Sequence, residues 1–202
     1  MDRKEIKEDL RKCLKKSRYE HTLGVEYTAS CLAMRYDADL EKAGMAGLLH
    51  DCAKHLPAKE KLEQAALYGI PVSKYERKNP ELLHAELGAV LARDRYGIED
   101  EDILSAIRWH TTGRPAMTLL EKIIFVADYI EPNRFKQENL KEVRKLAFTD
   151  LDRCLLKILE DTVSYLGRLE AVTDPMTEET LDYYRQEAGR DSKIAAGSEP
   201  PA

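Results

Sequence analysis

The sequence predicts an all-α fold, a single irregular helical bundle, and three features lead there. Apolar residues recur at three- and four-residue spacing along nearly the whole chain. Capping residues, prolines and glycines punctuate that pattern at intervals suited to helices. No stretch alternates apolar and polar residues as a half-buried strand would. The 202 residues suffice for one sizeable core and are too few for two comfortable ones.

The elements follow in order. Ile6, Leu10 and Leu14 recur every four residues, and the rest of "KEIKEDLRK" is a solvated face with opposite charges as neighbours. A second helix is expected over about 19–35, with His21, Val25, Thr28 and Leu32 on one face. A third follows Asp37 and ends near Lys54; the small residues of "KAGMAGLL" let it approach its neighbours closely. Pro57 starts a fourth helix, which Gly69 stops. "NPELLHAELGAVLARDRYG" reads as one helix with Asn79 as cap, Pro80 in the first turn and Gly97 as stop. A short helix runs to about His110 and ends at "TTGRP". Thr118 and Glu121 open the next with capping-box spacing, and Pro132 closes it. Two more helices are expected over about 139–147 and 150–169, and a last one begins near Thr177. The domain is expected over 1–188. Residues 189–202, ending in "AAGSEPPA", are expected to form a disordered tail.

Composition removes several function classes. No apolar run approaches the roughly 20 residues of a membrane span. The charged start "MDRKEIKEDLRKCLKKS" lacks the apolar centre of a signal peptide, so a cytoplasmic location is the expectation. Cys13, Cys31, Cys52 and Cys154 are scattered without a CxxC pair, which fits reduced thiols rather than a zinc knuckle or a redox motif. A net charge of -5 argues against nucleic acid as the main partner, while a local Lys/Arg cluster still suits a small anion. A homodimer is the default assembly, as the commonest among soluble proteins.

The polar residues on apolar faces carry the chemistry. His21 shares a face with Val25 and Leu32, His50 follows Ala43, Ala46 and Gly47, His84 shares a face with Leu87 and Leu91, and His110 follows Ile103, Ala106 and Ile107. His55 lies beyond a helix end and reads as a surface residue. Asp51 adjoins His50, and Asp128 stands inside the apolar "KIIFVADYI", where an unpaired carboxylate would be costly. A divalent metal offsets that cost, since imidazole and carboxylate are its natural ligands. His21, His50, Asp51 and Asp128 therefore form the expected ligand set of a bundle-core site. His50 and Asp51 point about 100° apart on a helix, so they converge only if the helix meets the cavity near its end.

The order His21, then His50 and Asp51, then Asp128 resembles the HD superfamily of metal-dependent phosphohydrolases. "RYEHTLGV", "LLHDCAK", "HAELGA", "RWHTTGRPAMTLLEKIIFVADYIEPNR" and "EVRKLAFTDLD" occur in an order similar to that of the YqeK family. The resemblance spans about residues 5–188. It implies an HD-type helical domain and an iron-dependent, symmetrical hydrolysis of diadenosine tetraphosphate to two ADP. Manganese and zinc are the alternatives that this nitrogen and oxygen donor set allows.

Beside the resemblance, the residues suit phosphoanhydride hydrolysis, because a metal with an open position activates water and polarises a phosphoryl oxygen. Asp51, Lys54, His84 and His110 are the candidate catalytic residues. His84 and His110 either bind a second metal bridged through Asp51 or hydrogen-bond phosphate, one acting as general acid, with phosphate contact slightly preferred. Lys54, one turn from His50, is a candidate phosphate contact, chiefly on the strength of the resemblance. Arg18, Arg134, Thr111, Thr112 and, more weakly, Thr173 complete the expected nucleotide site, alongside His21 and Asp128 at its floor. Two other readings stand: a different HD hydrolase acting on dNTP or guanosine polyphosphates, and a nucleotide-binding regulator without turnover.

Overall fold

The computed structural model describes residues 1–135, 139–169 and 173–197, with side chains described up to Arg190. Within them the chain forms only helices, turns and loops. The helices are α1 (Arg3–Cys13), α2 (Lys16–Arg35), α3 (Leu40–Leu49), α4 (Ala58–Leu67), α5 (Lys74–Lys78), α6 (Leu83–Asp94), α7 (Glu101–Trp109), α8 (Leu119–Ile130), α9 (Leu140–Ala147), α10 (Leu151–Arg168) and α11 (Pro175–Gly197). A 3-10 turn, Pro80–Leu82, leads into α6. No helix among the described residues is long and apolar enough to cross a membrane.

Local chemistry starts and stops the elements. Asp2 with Glu5, Ser73 with Glu76 and Thr118 with Glu121 form reciprocal capping boxes at α1, α5 and α8. Gly69 and Gly97 end α4 and α6 at φ +67° and +71°, a conformation that glycine adopts without strain. The core is carried by α2, α3, α7 and α8, which pack on one another, with α10 against α8 and α11 against α10. Ile6 and Leu10 of α1 are fully buried in the same cluster. A smaller cluster of Ala53, Leu56, Ala65, Leu83 and Leu87 seats α4 on α6. Lys61 of α4 is fully buried and donates to Glu81 Oε1 at 2.8 Å, pinning the 3-10 turn that precedes His84.

Four boundaries differ from the sequence reading. The third helix stops at Leu49, and His50 to His55 form tight turns, so the end of α3 lies at the site itself. Asn79 caps nothing with its side chain, because Pro80–Leu82 winds as a 3-10 turn before α6 begins. The short α5 is absent from the sequence reading, although Ser73 and Glu76 have capping-box spacing. The last helix begins at Pro175 and continues through Gly197, past residue 188. Of the expected tail, 198–202 lies outside the described residues.

Candidate metal centre

The α2 and α3 backbones come close enough to place His21 beside His50. A Cβ built on Gly47 would sit 3.0 Å from Glu26 Cα and 3.1 Å from the Val25 carbonyl oxygen, so a side chain there would push the helices apart. His21 Nε2 and His50 Nε2 are 3.3 Å apart. His21 Nε2 is 3.0 Å from Asp128 Oδ1, and His50 Nε2 is 3.5 Å from Asp51 Oδ2. The four residues expected to share one ion thus converge, drawn from α2, the end of α3 and α8.

A second set adjoins the first. His84 Nε2 and His110 Nε2 are 3.1 Å apart, and they lie 3.3 and 3.7 Å from Asp51 Oδ1. Asp51 therefore faces one histidine pair with each carboxylate oxygen. Its side chain is only 2% exposed, and Oδ1 has no hydrogen-bond donor among the described residues.

Each imidazole is oriented through its other nitrogen. His50 Nδ1 donates to the Gly47 carbonyl and His110 Nδ1 to that of Ile107, both at 2.7 Å, and His84 Nδ1 donates to the Glu81 carbonyl. His21 Nδ1 donates instead to a carboxylate, Glu131 Oε1, at 3.0 Å. With Nδ1 carrying the proton, every Nε2 presents a lone pair to the centre. Lone pairs facing each other at 3.1 and 3.3 Å repel one another, and a cation between them satisfies both. The donor set fits a divalent metal.

Protonation agrees with that fit. Burial raises the Asp51 carboxyl, yet it is held well below the usual carboxylate range, and the Arg18 guanidinium 2.7 Å from Oδ2 favours its ionised form. Asp128 is also held low, the Arg134 guanidinium 2.6 Å away outweighing burial. Burial pushes His84 down to about 4, with His110 and Lys54 adding to the shift. Metal ligation needs ionised carboxylates and neutral imidazoles, and Asp51, Asp128 and His84 meet that need at neutral pH.

The cations stand around the rim. Arg18 Nη1 is 2.7 Å from Asp51 Oδ2, and Arg134 Nη2 is 2.6 Å from Asp128 Oδ1. Lys54 Nζ lies 3.3 and 3.4 Å from the ring nitrogens of His84, and burial lowers its pKa. Thr111 Oγ1 is 3.1 Å from His110 Nε2 and 3.3 Å from His84 Nε2. Two expected contacts are not brought in by hydrogen bonds. The Thr112 hydroxyl donates to the Gly113 carbonyl in its own turn, and Thr173, just before α11, is half-buried with no hydrogen bond to the cluster. His55 is half-buried and donates through Nδ1 to the Cys52 carbonyl.

A family model described as the HD domain matches residues 18–133, the stretch that contains both histidine pairs and both aspartates. The chain belongs to the HD-domain family, in its YqeK branch. The symmetrical bis(5'-nucleosyl)-tetraphosphatase of Bacillus subtilis (strain 168) is 45% identical over 183 residues, covering 91% of this chain and 97% of that protein. The protein of the same name from Staphylococcus aureus (strain NCTC 8325 / PS 47) is 38% identical, covering 85% and 88%. The crystal structure of a Clostridium acetobutylicum protein described as a predicted HD superfamily hydrolase involved in NAD metabolism is 41% identical with a TM-score of 0.90, over 93% of this chain and 98% of that one. The HD-domain match stops just short of Arg134, and Thr173 lies well beyond it. Sequence reasoning passed over Glu131, the partner of His21. The available signal was a carboxylate at the end of an apolar helix, next to a proline that halts it.

Proposed function

We propose that this chain hydrolyses diadenosine tetraphosphate symmetrically, releasing two ADP, at a divalent metal centre built around Asp51. The substrate reading rests on relatives of 38–45% identity that carry that activity in their names. The reaction class rests on one geometric observation: the two oxygens of buried Asp51 face two separate histidine pairs.

His21, His50, Asp51 and Asp128 would hold one ion, and iron is the proposed metal. For His84 and His110 the geometry favours a second ion over direct phosphate contact. Both Nε2 atoms turn toward Asp51 Oδ1, which lacks any other partner. Such ions supply an activated water and neutralise charge on the phosphates.

The chain's own residues bind and orient the substrate. Asp128, Arg18 and Arg134 are 22%, 35% and 33% exposed, whereas the four site histidines are at most 8% exposed. The tetraphosphate therefore enters from the Arg18–Arg134 side. Each guanidinium offers further donors beyond its carboxylate contact, so both can hold phosphate while still gripping the aspartates. Lys54 takes a phosphate oxygen over the second histidine pair, and the anion favours its charged form against the burial that lowers its pKa. Thr111 donates to the same group.

The test is anaerobic purification, determination of bound metal, and incubation with diadenosine tetraphosphate, dATP and guanosine polyphosphates. ADP as the sole early product is the expected result. Preference for dATP or a guanosine polyphosphate would move the assignment to another HD hydrolase. Metal-loaded protein that turns over none of them would be a regulator and would refute the proposal.

A further inference from the structure

His21 differs from the other three site histidines in where it sits on its helix. His50 and His110 are C-caps, and His84 is in the first turn of α6, so a carbonyl of a loosened local turn is free to accept from each Nδ1. His21 lies inside α2, where the preceding carbonyls are engaged in the helix. Its Nδ1 proton needs a remote acceptor, and Glu131 Oε1, 110 residues on, supplies it.

The surroundings of Glu131 are built for that contact. Glu131 is 1% exposed, yet among the described residues only His21 and a local backbone N–H donate to its carboxylate: Oε2 accepts from Asn133 N–H at 2.7 Å. Arg144 of α9 fixes the backbone of this turn by donating to the carbonyls of Ile130, Glu131 and Arg134 at 2.8–2.9 Å. On the α2 side, room is left by Gly24. A Cβ there would lie 2.3 Å from Glu131 Oε2 and 3.1 Å from its Cδ.

We infer that Glu131 is a positioning residue for the metal centre, its carboxylate fixing the tautomer of His21 and aiming Nε2 at the ion, with Gly24 preserving the space this requires. The inference rests on His21 being a metal ligand, as proposed above. A carboxylate behind a ligating imidazole raises the ligand's basicity as well as orienting it, so its loss weakens metal binding.

The experiment compares metal affinity, by competition with a chromophoric chelator, with the melting temperature of the metal-free protein. Glu131→Gln keeps the shape and one acceptor oxygen but loses the charge. The expected result is metal affinity lowered about tenfold or more, with the metal-free melting temperature little changed and the His21 Nδ1–H signal altered in long-range 1H–15N spectra. Gly24→Ala is expected to weaken metal binding in the same direction. In the Gly24→Ala/Glu131→Ala double variant, the glycine substitution is expected to add nothing further, because the carboxylate it displaces is gone. Affinity of Glu131→Gln within about twofold of the parent, or additive losses in the double variant, would overturn the inference. So would a collapse of the metal-free fold in Glu131→Gln, which would mark a residue of the fold rather than of the site. His21→Ala separates the two levels: if it loses metal while Glu131→Gln does not, only the role of Glu131 fails. If it binds metal as the parent does, the ligand assignment itself fails.

Discussion

Substituting Gly47 and Gly167 by alanine should move stability in opposite directions, and the structure says why. Both glycines are helical, in α3 and α10, and alanine in a helix gains up to about 1 kcal/mol over glycine. At Gly167 a Cβ meets nothing within 4 Å, so that gain stands alone. At Gly47 the Cβ lands 3.0 Å from Glu26 Cα, 3.1 Å from the Val25 carbonyl oxygen and 3.2 Å from Glu26 N. All are backbone atoms that cannot swing aside, so α3 must move away from α2 by several tenths of an ångström. Overpacking of this kind costs about 1–3 kcal/mol. Net of helix propensity, Gly47→Ala should lose up to about 2 kcal/mol. At roughly 2–4 °C per kcal/mol for a chain of this length, the melting temperature should fall by up to about 8 °C. Gly167→Ala should raise it by up to about 2–4 °C. Calorimetry on chelator-treated protein removes the contribution of bound metal. The displacement also reaches the site, since His50 Nδ1 donates to the Gly47 carbonyl and His50 faces His21 across the same helix pair. Weaker metal binding by Gly47→Ala should accompany the loss of stability. A melting temperature that rises in Gly47→Ala as it does in Gly167→Ala would refute the close-approach argument.

Three further outcomes follow from the site. Asp51→Asn and Asp128→Asn should each lose bound metal and hydrolysis while keeping the helical circular dichroism spectrum, and full activity in either would sink the ligand assignment. Lys54→Met should retain metal but lose about 10–100-fold in kcat/KM, the worth of one charged hydrogen bond to phosphate, as measured by ADP release. Acid should destabilise the metal-free protein through His84: free histidine protonates near 6.5 and folded His84 near 4, so between those values the unfolded chain binds a proton that the native state excludes. Stability should therefore fall as pH drops from about 6.5 to about 4, and His84→Asn should flatten that part of the melting-temperature profile.

Several helices were legible because their signals are local. Thr118 and Glu121 cap α8 through atoms three residues apart, Gly97 stops α6 with its own φ, and Ile6 and Leu10 mark the buried face of α1 by spacing alone. The errors were also local. Pro80 pointed to one continuous helix, whereas the chain takes a 3-10 turn whose Glu81 carbonyl accepts from His84 and whose side chain is held by Lys61. The sequence places the α3 end too late because "LLHDCAK" keeps helical composition, and only the geometry shows His50 closing the helix.

By itself the sequence determined the helical class, the side chains that could ligate a metal and, through the order of its motifs, the family. Those properties depend on residue type and short spacing. Only the tertiary structure decided that Asp51 turns one oxygen toward His50 and His21 and the other toward His84 and His110. It also decided that Glu131 stands behind His21, that Arg18 and Arg134 grip the two aspartates, and that the Thr112 hydroxyl turns away. These are contacts between residues as much as 110 positions apart, and they depend on how closely α2, α3 and α8 pack. Packing distance is set by the volumes of all the side chains between the helices at once, so no short stretch of sequence encodes it.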